Sequence, residues 1–171
     1  MIYTSSHKAW QSTIYETYSI SGNRGKDEKY NGKYYKALAP LKDFWIEWHN
    51  NIGKKTEEEN NRYYIREYWR QVLSKLDPRE VYKDLDNSVL LCYEPSAQFC
   101  HRHIIAAWFE ILLGVKVVEA SANGCQIKEE TSPEYIRQYN FIKQCLVEEI
   151  RSDRDMQETP TLRAPCLEKK L

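Results

Sequence analysis

The pattern of apolar and polar positions predicts a chain in which short strands alternate with amphipathic helices. Residues 89–91 form an apolar run of the length expected for a buried strand. Apolar residues with flanking polar breaks predict further strands at residues 2–4, 14–20 and 115–119. Such alternation predicts a single α/β domain of three layers, with a mainly parallel, Rossmann-like sheet flanked by helices.

Five helices are predicted from helical spacing of apolar residues and from end signals, at residues 38–50, 56–76, 79–85, 100–113 and 132–150. Thr56 and Glu59 have the spacing of a capping box, and Ser132 followed by Pro133 is typical of a helix start. We expect residues 1–120 to form the core and residues 121–150 to pack on it as a C-terminal helix. Charge and proline predict a loosely ordered tail at residues 151–171.

The composition of the chain gives expectations about its binding partners and its cellular location. The 171 residues include 25 basic and 25 acidic side chains, so no net charge attracts the chain to nucleic acid or to a membrane. No apolar run reaches about 18 residues, and the N-terminus lacks the features of a signal peptide. Five cysteines form no paired spacing, which favours reduced thiols. We therefore expect a cytoplasmic protein without membrane association.

Polar side chains follow three of the predicted strands. In sheets of this type the ligand lies beyond the carboxyl ends of the strands, so these side chains are expected to share one edge. A helix start with Cys, His and Arg follows the central strand and joins them there. The predicted ligand-binding residues at this edge are Thr4, Ser5, Ser19, Ser21, Tyr93 and Arg102.

The helix start suggests chemistry as well as binding. A thiolate at Cys100 is favoured by the helix dipole and by positive neighbours, which makes it a candidate nucleophile, with His101 beside it. Glu94 is a candidate general base, and Arg102 a candidate anion contact. The structural alternatives are that Cys92 and Cys100 are packing residues, that Arg102 forms an internal salt bridge, and that His103 is a solvated or capping residue.

A basic loop at residues 23–36 supplies further candidates for binding. Its tyrosines, including Tyr35, are suited to stacking on a base, and its lysines, including Lys36, to contacting phosphates. The alternative is that residues 23–36 form a solvated surface loop that binds no ligand.

Other site classes are less well supported by spacing. Cys92, Cys100, His101 and His103 are soft metal ligands, but they lack the paired spacing of a zinc ribbon or finger, so we expect no metal. Phosphatase, Walker and dinucleotide fingerprints are absent, and no cofactor is predicted.

Several segments occur in an order that resembles one known family. The segments IYTSS, YSISG, NGKYYKALAP, SKLDPREV and LLCYEPSAQFCHRHIIAAW are similar to the short members of domain-of-unknown-function family 488, across residues 2–113. The resemblance implies a small cytosolic α/β protein whose signature residues are Cys92, Glu94, Cys100, His101 and Arg102. It implies no particular reaction, because none is assigned to the family.

Two functional hypotheses follow. The first is an enzyme, a Cys- and Glu-dependent hydrolase or transferase, that acts on a nucleotide-like or other small anionic ligand at the Cys-His-Arg helix start. The second is a non-catalytic module that binds such a ligand or a nucleic acid. Rapid, pH-dependent alkylation of Cys100 would distinguish the enzyme from the module.

Overall fold

Strand β5, Ser88–Cys92, lies at the centre of the sheet. It pairs in parallel with β1, Tyr3–Ser6, on one side and with β3, Glu16–Ser19, on the other. Every residue of β5 is buried, as expected for a parallel strand with both faces covered. The computed structural model describes residues 1–158, and it confirms that residues 89–91 form a central strand with two neighbours.

Four further strands complete the sheet within residues 1–158: β2 (Trp10–Gln11), β4 (Lys33–Tyr34), β6 (Val118–Asn123) and β7 (Gln126–Glu129). The strand order is β2-β6-β1-β5-β3-β4, and all of these pairs are parallel. Only β7 is antiparallel; it pairs with β6 across a turn at Gly124, which has a positive φ of 56°. This confirms the mainly parallel, Rossmann-like α/β domain.

Five helices flank the sheet in the same part of the chain: α1 (Lys42–Asn50), α2 (Glu57–Gln71), α3 (Pro78–Leu85), α4 (His101–Leu113) and α5 (Pro133–Glu158). The capping box of Thr56 and Glu59 starts α2, and Gly114, with a φ of 68°, ends α4. None of the helices within residues 1–158 combines the length and the apolar composition needed to cross a bilayer.

Two hydrophobic clusters lie on opposite faces of the sheet, because successive residues of β5 point in opposite directions. Leu90 and Cys92 belong to the larger cluster, to which all five helices contribute. Val89 and Leu91 belong to the smaller cluster, whose described residues come from strands and loops.

Several boundaries differ from those predicted. Helix α2 ends at Gln71 and not at residue 76, and a short 3-10 helix, Leu73–Lys75, follows it. Helix α1 begins at Lys42 and not at residue 38, because Ala39 precedes Pro40 and is held in an extended conformation. Strand β6 begins at Val118, three residues after the start of the strand predicted at residues 115–119, and it continues to Asn123 in a hairpin with β7. Helix α5 continues to Glu158, and Asp153 within it accepts a hydrogen bond from Trp69. The remainder of the predicted tail, residues 159–171, lies outside the described residues.

A buried ion pair joins α4 to β6. Arg102 donates from Nη2 to Oε1 of Glu119 at 2.9 Å and from Nε to Oε2 at 3.1 Å, and both side chains are fully buried. Ser96 adds a hydrogen bond to Glu119 at 2.7 Å. Burial disfavours the Glu119 carboxylate, but its interactions with Arg102 and His103 together outweigh burial and lower the pKa of Glu119 to about 2.

Breaking this pair from one side should destabilise the fold strongly. We expect Arg102→Met to lower the free energy of unfolding in urea by about 3 to 5 kcal/mol, because it leaves Glu119 buried without its guanidinium partner. The double variant Arg102→Met, Glu119→Leu should recover most of that loss. Arg62→Met, which removes an exposed pair with Glu148, is the control and should cost at most about 1 kcal/mol. Equal, small losses in all three variants would contradict a structural role.

Candidate active site

A cavity of about 450 Å³ lies between α1, the carboxyl end of β5 and the start of α4. Its reactive side is formed by Cys92, Glu94, Cys100 and His101. Its aromatic side is formed by Trp45, Trp48, Tyr64 and Phe99. The position agrees with the rule that ligand sites in such sheets lie beyond the carboxyl ends of the strands.

The sequence places the reactive residues there by two local features. Cys92 is the last residue of β5, and Glu94 follows it in the loop where the strand ends. Cys100 is the N-cap residue of α4 and has an extended backbone, with no side-chain hydrogen bond capping the helix. The helix therefore directs its first backbone N–H groups and its positive dipole end towards this region.

The imidazole of His101 has one defined orientation. Its Nε2 lies 3.0 Å from the carbonyl oxygen of Ile20, directly after β3, and must donate because a carbonyl oxygen can only accept. Its Nδ1 then faces the two thiols, 3.7 Å from Sγ of Cys92 and 3.9 Å from Sγ of Cys100. One backbone carbonyl thus determines which ring nitrogen meets the sulfur atoms.

The pKa values of the two thiols are shifted in opposite directions. Burial raises the pKa of Cys92, and the neighbouring Cys100 raises it further. Burial also opposes ionisation of Cys100, but the neighbouring Cys92 and the charges of Arg102 and His101 together outweigh burial and lower the pKa of Cys100. For His101, burial disfavours the imidazolium, but the Cys100 thiolate raises its pKa. The pair favours a thiolate beside an imidazolium.

Glu94 lies beside this pair with a proton available near neutral pH. Burial and the negative charge of Cys100 raise the pKa of Glu94 to about 7. The thiol of Cys92 donates to Oε2 of Glu94 at 3.3 Å. A carboxyl group with this pKa can both give and take a proton at physiological pH.

The aromatic side is built mainly by α1. Trp45 lies over the imidazole of His49, with ring centroids 3.9 Å apart, and is 42% exposed. Trp48 packs against Phe99 and Tyr64 and donates from Nε1 to Asn61 at 3.1 Å. Trp48 is therefore anchored in the core, whereas Trp45 is available to a ligand.

Asn23 organises the polar rim. It accepts a hydrogen bond from Tyr93 and donates from Nδ2 to Asp27 at 2.6 Å. Ser21 lies at the same rim, 2.9 Å from the hydroxyl of Ser19. This network ties the loop after β3 to the loop after β5.

Five of the residues predicted for the site line the cavity, namely Ser21, Tyr93, Glu94, Cys100 and His101. Three others, Thr4, Ser5 and Ser19, are fully buried and do not line it. Their hydroxyl groups therefore lie inside the protein and not at the cavity wall.

The structure does not bring the other three predicted ligand contacts to the cavity. Arg102 is held in the buried pair with Glu119, so its guanidinium is an internal group and not the expected anion contact. Tyr35 donates to Asp84 of α3, and Lys36 is exposed beyond the cavity wall. His103 lies against the ring of Tyr135 and is fully buried, so it is neither solvated nor a cap.

Sequence reasoning missed the α1 side of the site. Lys42, Trp45 and His49 line the cavity, although the helical spacing indicated only an apolar stripe for the core. The available signal was the high aromatic content, which exceeds what a small core requires. Asn23 was also missed as an individual residue within the basic loop.

Three of these side chains have ligand atoms close enough for a metal ion. Sγ of Cys92, Sγ of Cys100 and Nδ1 of His101 all lie within 4.8 Å of one another.

Fold and site together define an α/β protein with a thiol–imidazole cavity at the carboxyl edge of its sheet. Residues 3–111 match the family model described as "Active DUF488-N3 subclade", so the chain belongs to domain-of-unknown-function family 488. Comparisons with curated proteins and with solved structures found no match.

The raised pKa of Glu94 predicts a specific pH dependence of stability. Between about pH 4.5 and 7, the Glu94 carboxyl group binds more protons in the folded state than in the unfolded state. The free energy of unfolding therefore decreases as the pH rises through this range. Glutamine cannot ionise, so Glu94→Gln avoids this loss. The free energy of unfolding of the variant, relative to that of the wild type, should be up to about 3 kcal/mol higher at pH 7 than at low pH. Urea unfolding at a series of pH values measures the difference.

The control for charge removal is Glu57→Gln, at an exposed position of α2. Its effect on stability should vary much less between pH 4.5 and 7. A Glu94→Gln effect that is constant with pH would show that this carboxyl group titrates normally.

Proposed function

We propose that this protein is a thiol-dependent enzyme, a hydrolase or transferase, that acts on a small nucleotide-like or other anionic compound. The observation that carries the proposal is that Cys100, His101 and Glu94 line one cavity together with several aromatic residues. Nucleophile, imidazole and proton donor occur together in few places by chance, and they lie where this fold class binds ligands.

In the proposed reaction, the Cys100 thiolate attacks an electrophilic carbon of the substrate, and a sulfur–carbon bond forms. The bond to the leaving group breaks with its electron pair, and protonated Glu94 gives its proton to that group. Water or an acceptor hydroxyl then attacks the same carbon and gives its proton to Glu94. The thiolate of Cys100 leaves, and the imidazolium of His101 stabilises it again.

The cavity wall supports a planar, negatively charged substrate. Trp45 offers an exposed ring on which a base can stack, and Lys42 lies on the same helix as a cationic contact. The backbone N–H groups at the start of α4 add a second anion-binding element. These groups take the role that the sequence assigned to Arg102.

A cytoplasmic location fits the proposal, because a thiolate nucleophile needs a reducing environment. The four described cysteines are free. The same base and phosphate groups occur at the end of a nucleic-acid strand. Thermal-shift screening of free nucleotides and of short oligonucleotides would distinguish these two ligands.

The reactivity of Cys100 tests the nucleophile. We expect iodoacetamide to alkylate Cys100 at neutral pH faster than an ordinary thiol, because the thiolate is already formed. His101→Gln should slow the reaction at neutral pH and shift its pH profile upwards. Peptide mass spectrometry measures both, with Cys145 in the same protein as the internal control, since burial raises the pKa of Cys145 to about 11. Unreactive Cys100 with retained ligand binding would instead support the non-catalytic module.

Stacking on Trp45 tests the ligand class. For any nucleotide that raises the melting temperature of the protein, Trp45→Ala should weaken binding by about 1 to 3 kcal/mol, the usual value of a base on an aromatic ring. Calorimetric titration measures the change. The control is Ile136→Ala, an exposed apolar residue of α5 outside the cavity, which should leave affinity unchanged. Equal affinity in both variants would exclude stacking at α1.

A further inference from the structure

We propose that Cys92, Cys100 and His101 form a binding site for a soft divalent cation of the zinc class. All three side chains are at least 94% buried, so the ligand atoms are held in place by the protein interior. The spacing along the chain does not suggest such a site. The fold creates it by placing the end of β5 against the start of α4.

The separations fit tetrahedral coordination. With Zn–S bonds near 2.3 Å and Zn–N bonds near 2.0 Å, a sulfur and a nitrogen ligand lie about 3.6 Å apart. Nδ1 of His101 lies 3.7 Å from one sulfur and 3.9 Å from the other, and all three atoms are within 4.8 Å. For the two sulfur–nitrogen pairs, only a few tenths of an ångström of adjustment is needed.

The imidazole already has the orientation of a metal ligand. Histidine ligands typically donate the proton of the second ring nitrogen to a carbonyl or carboxylate, which directs the bare nitrogen at the metal. Here the carbonyl oxygen of Ile20 receives the proton of Nε2 at 3.0 Å, and Nδ1 points to the sulfur atoms.

Ligand chemistry selects the cation. Two sulfurs and one imidazole favour zinc over calcium or magnesium, which prefer oxygen ligands. Two thiolates neutralise the charge of the ion, so the site can hold it in a buried position. Three protein ligands leave a fourth position, and the cavity onto which these residues open can supply water or a small ligand there.

The site has a consequence for the proposed enzyme, and this part of the inference rests on the proposed function. A bound cation uses the lone pairs of Cys100, so the thiol is no longer a free nucleophile. Zinc would therefore inhibit the covalent reaction, and its removal by a chelator would restore it. Metal binding itself depends only on the geometry of the three ligands.

Cobalt titration of the chelator-treated protein tests the site directly. We expect one equivalent of Co²⁺ to produce a sulfur-to-cobalt charge-transfer band, and Zn²⁺ to displace it. Cys92→Ser and His101→Gln should each weaken affinity by more than about 100-fold, because even second-shell changes typically cost about 10- to 100-fold. Cys145→Ser and Cys125→Ser remove thiols outside the site and should leave the band and the stoichiometry unchanged.

Circular dichroism of each variant shows whether it folds. If the site variants do not fold, thiol counting in the wild type gives an independent answer, because Zn²⁺ should protect Cys92 and Cys100 from alkylation but not Cys125. Absence of the charge-transfer band, or equal affinity in the Cys92→Ser variant, would overturn the inference.

The outcomes separate this inference from the proposed function. Reactive Cys100 in a protein that binds no Co²⁺ would refute the metal site and leave the nucleophile intact. Tight metal binding that depends on Cys92, with Cys100 unreactive after chelation, would support the metal site and refute the nucleophile.

Discussion

The hydrogen bond from Nε2 of His101 to the carbonyl of Ile20 determines the geometry of the whole candidate site. It joins the first turn of α4 to the end of β3, and it assigns the remaining nitrogen, Nδ1, to the two sulfur atoms. Without this bond the imidazole could rotate, and neither an ion pair with Cys100 nor a three-ligand metal site would have a fixed shape. A backbone carbonyl suits this role because it only accepts hydrogen bonds.

Four consecutive residues at the start of α4 have three different environments. Because a helix turns by about 100° per residue, neighbours in sequence face different elements. Cys100 and His101 face the cavity, Arg102 faces Glu119 on β6, and His103 faces Tyr135 on α5. The buried charge of Arg102 still reaches the site, since it helps to lower the pKa of Cys100 without any contact with a ligand. Its role in the site is therefore electrostatic and indirect.

The sequence predicted those features that have strong local signals. The apolar run of β5, the capping box of Thr56 and the glycine after α4 each have one favoured structure, and each was found where expected. The partner of Arg102 could not be predicted, because Glu119 lies 17 residues away and only tertiary packing brings it near. The position of Trp45 at the cavity was not predicted, because helical spacing does not show whether an apolar side chain packs in the core or lines a cavity. Cys92, Cys100 and His101 were considered as metal ligands and set aside because their spacing is not that of a zinc ribbon or finger. Their proximity comes from the packing of a strand end against a helix start, which spacing along the chain does not show.

The orientation of His101 is the claim on which the proposed function and the metal site both depend. Nitrogen-15 NMR of histidine-labelled protein measures which ring nitrogen carries the proton, and a His101→Gln variant assigns the signal among the four histidines of the chain. The account predicts that Nε2 of His101 stays protonated across the stable pH range, while the signal of Nδ1 changes when Cys100 is alkylated. A bare Nε2 with the proton on Nδ1, unaffected by alkylation, would contradict it.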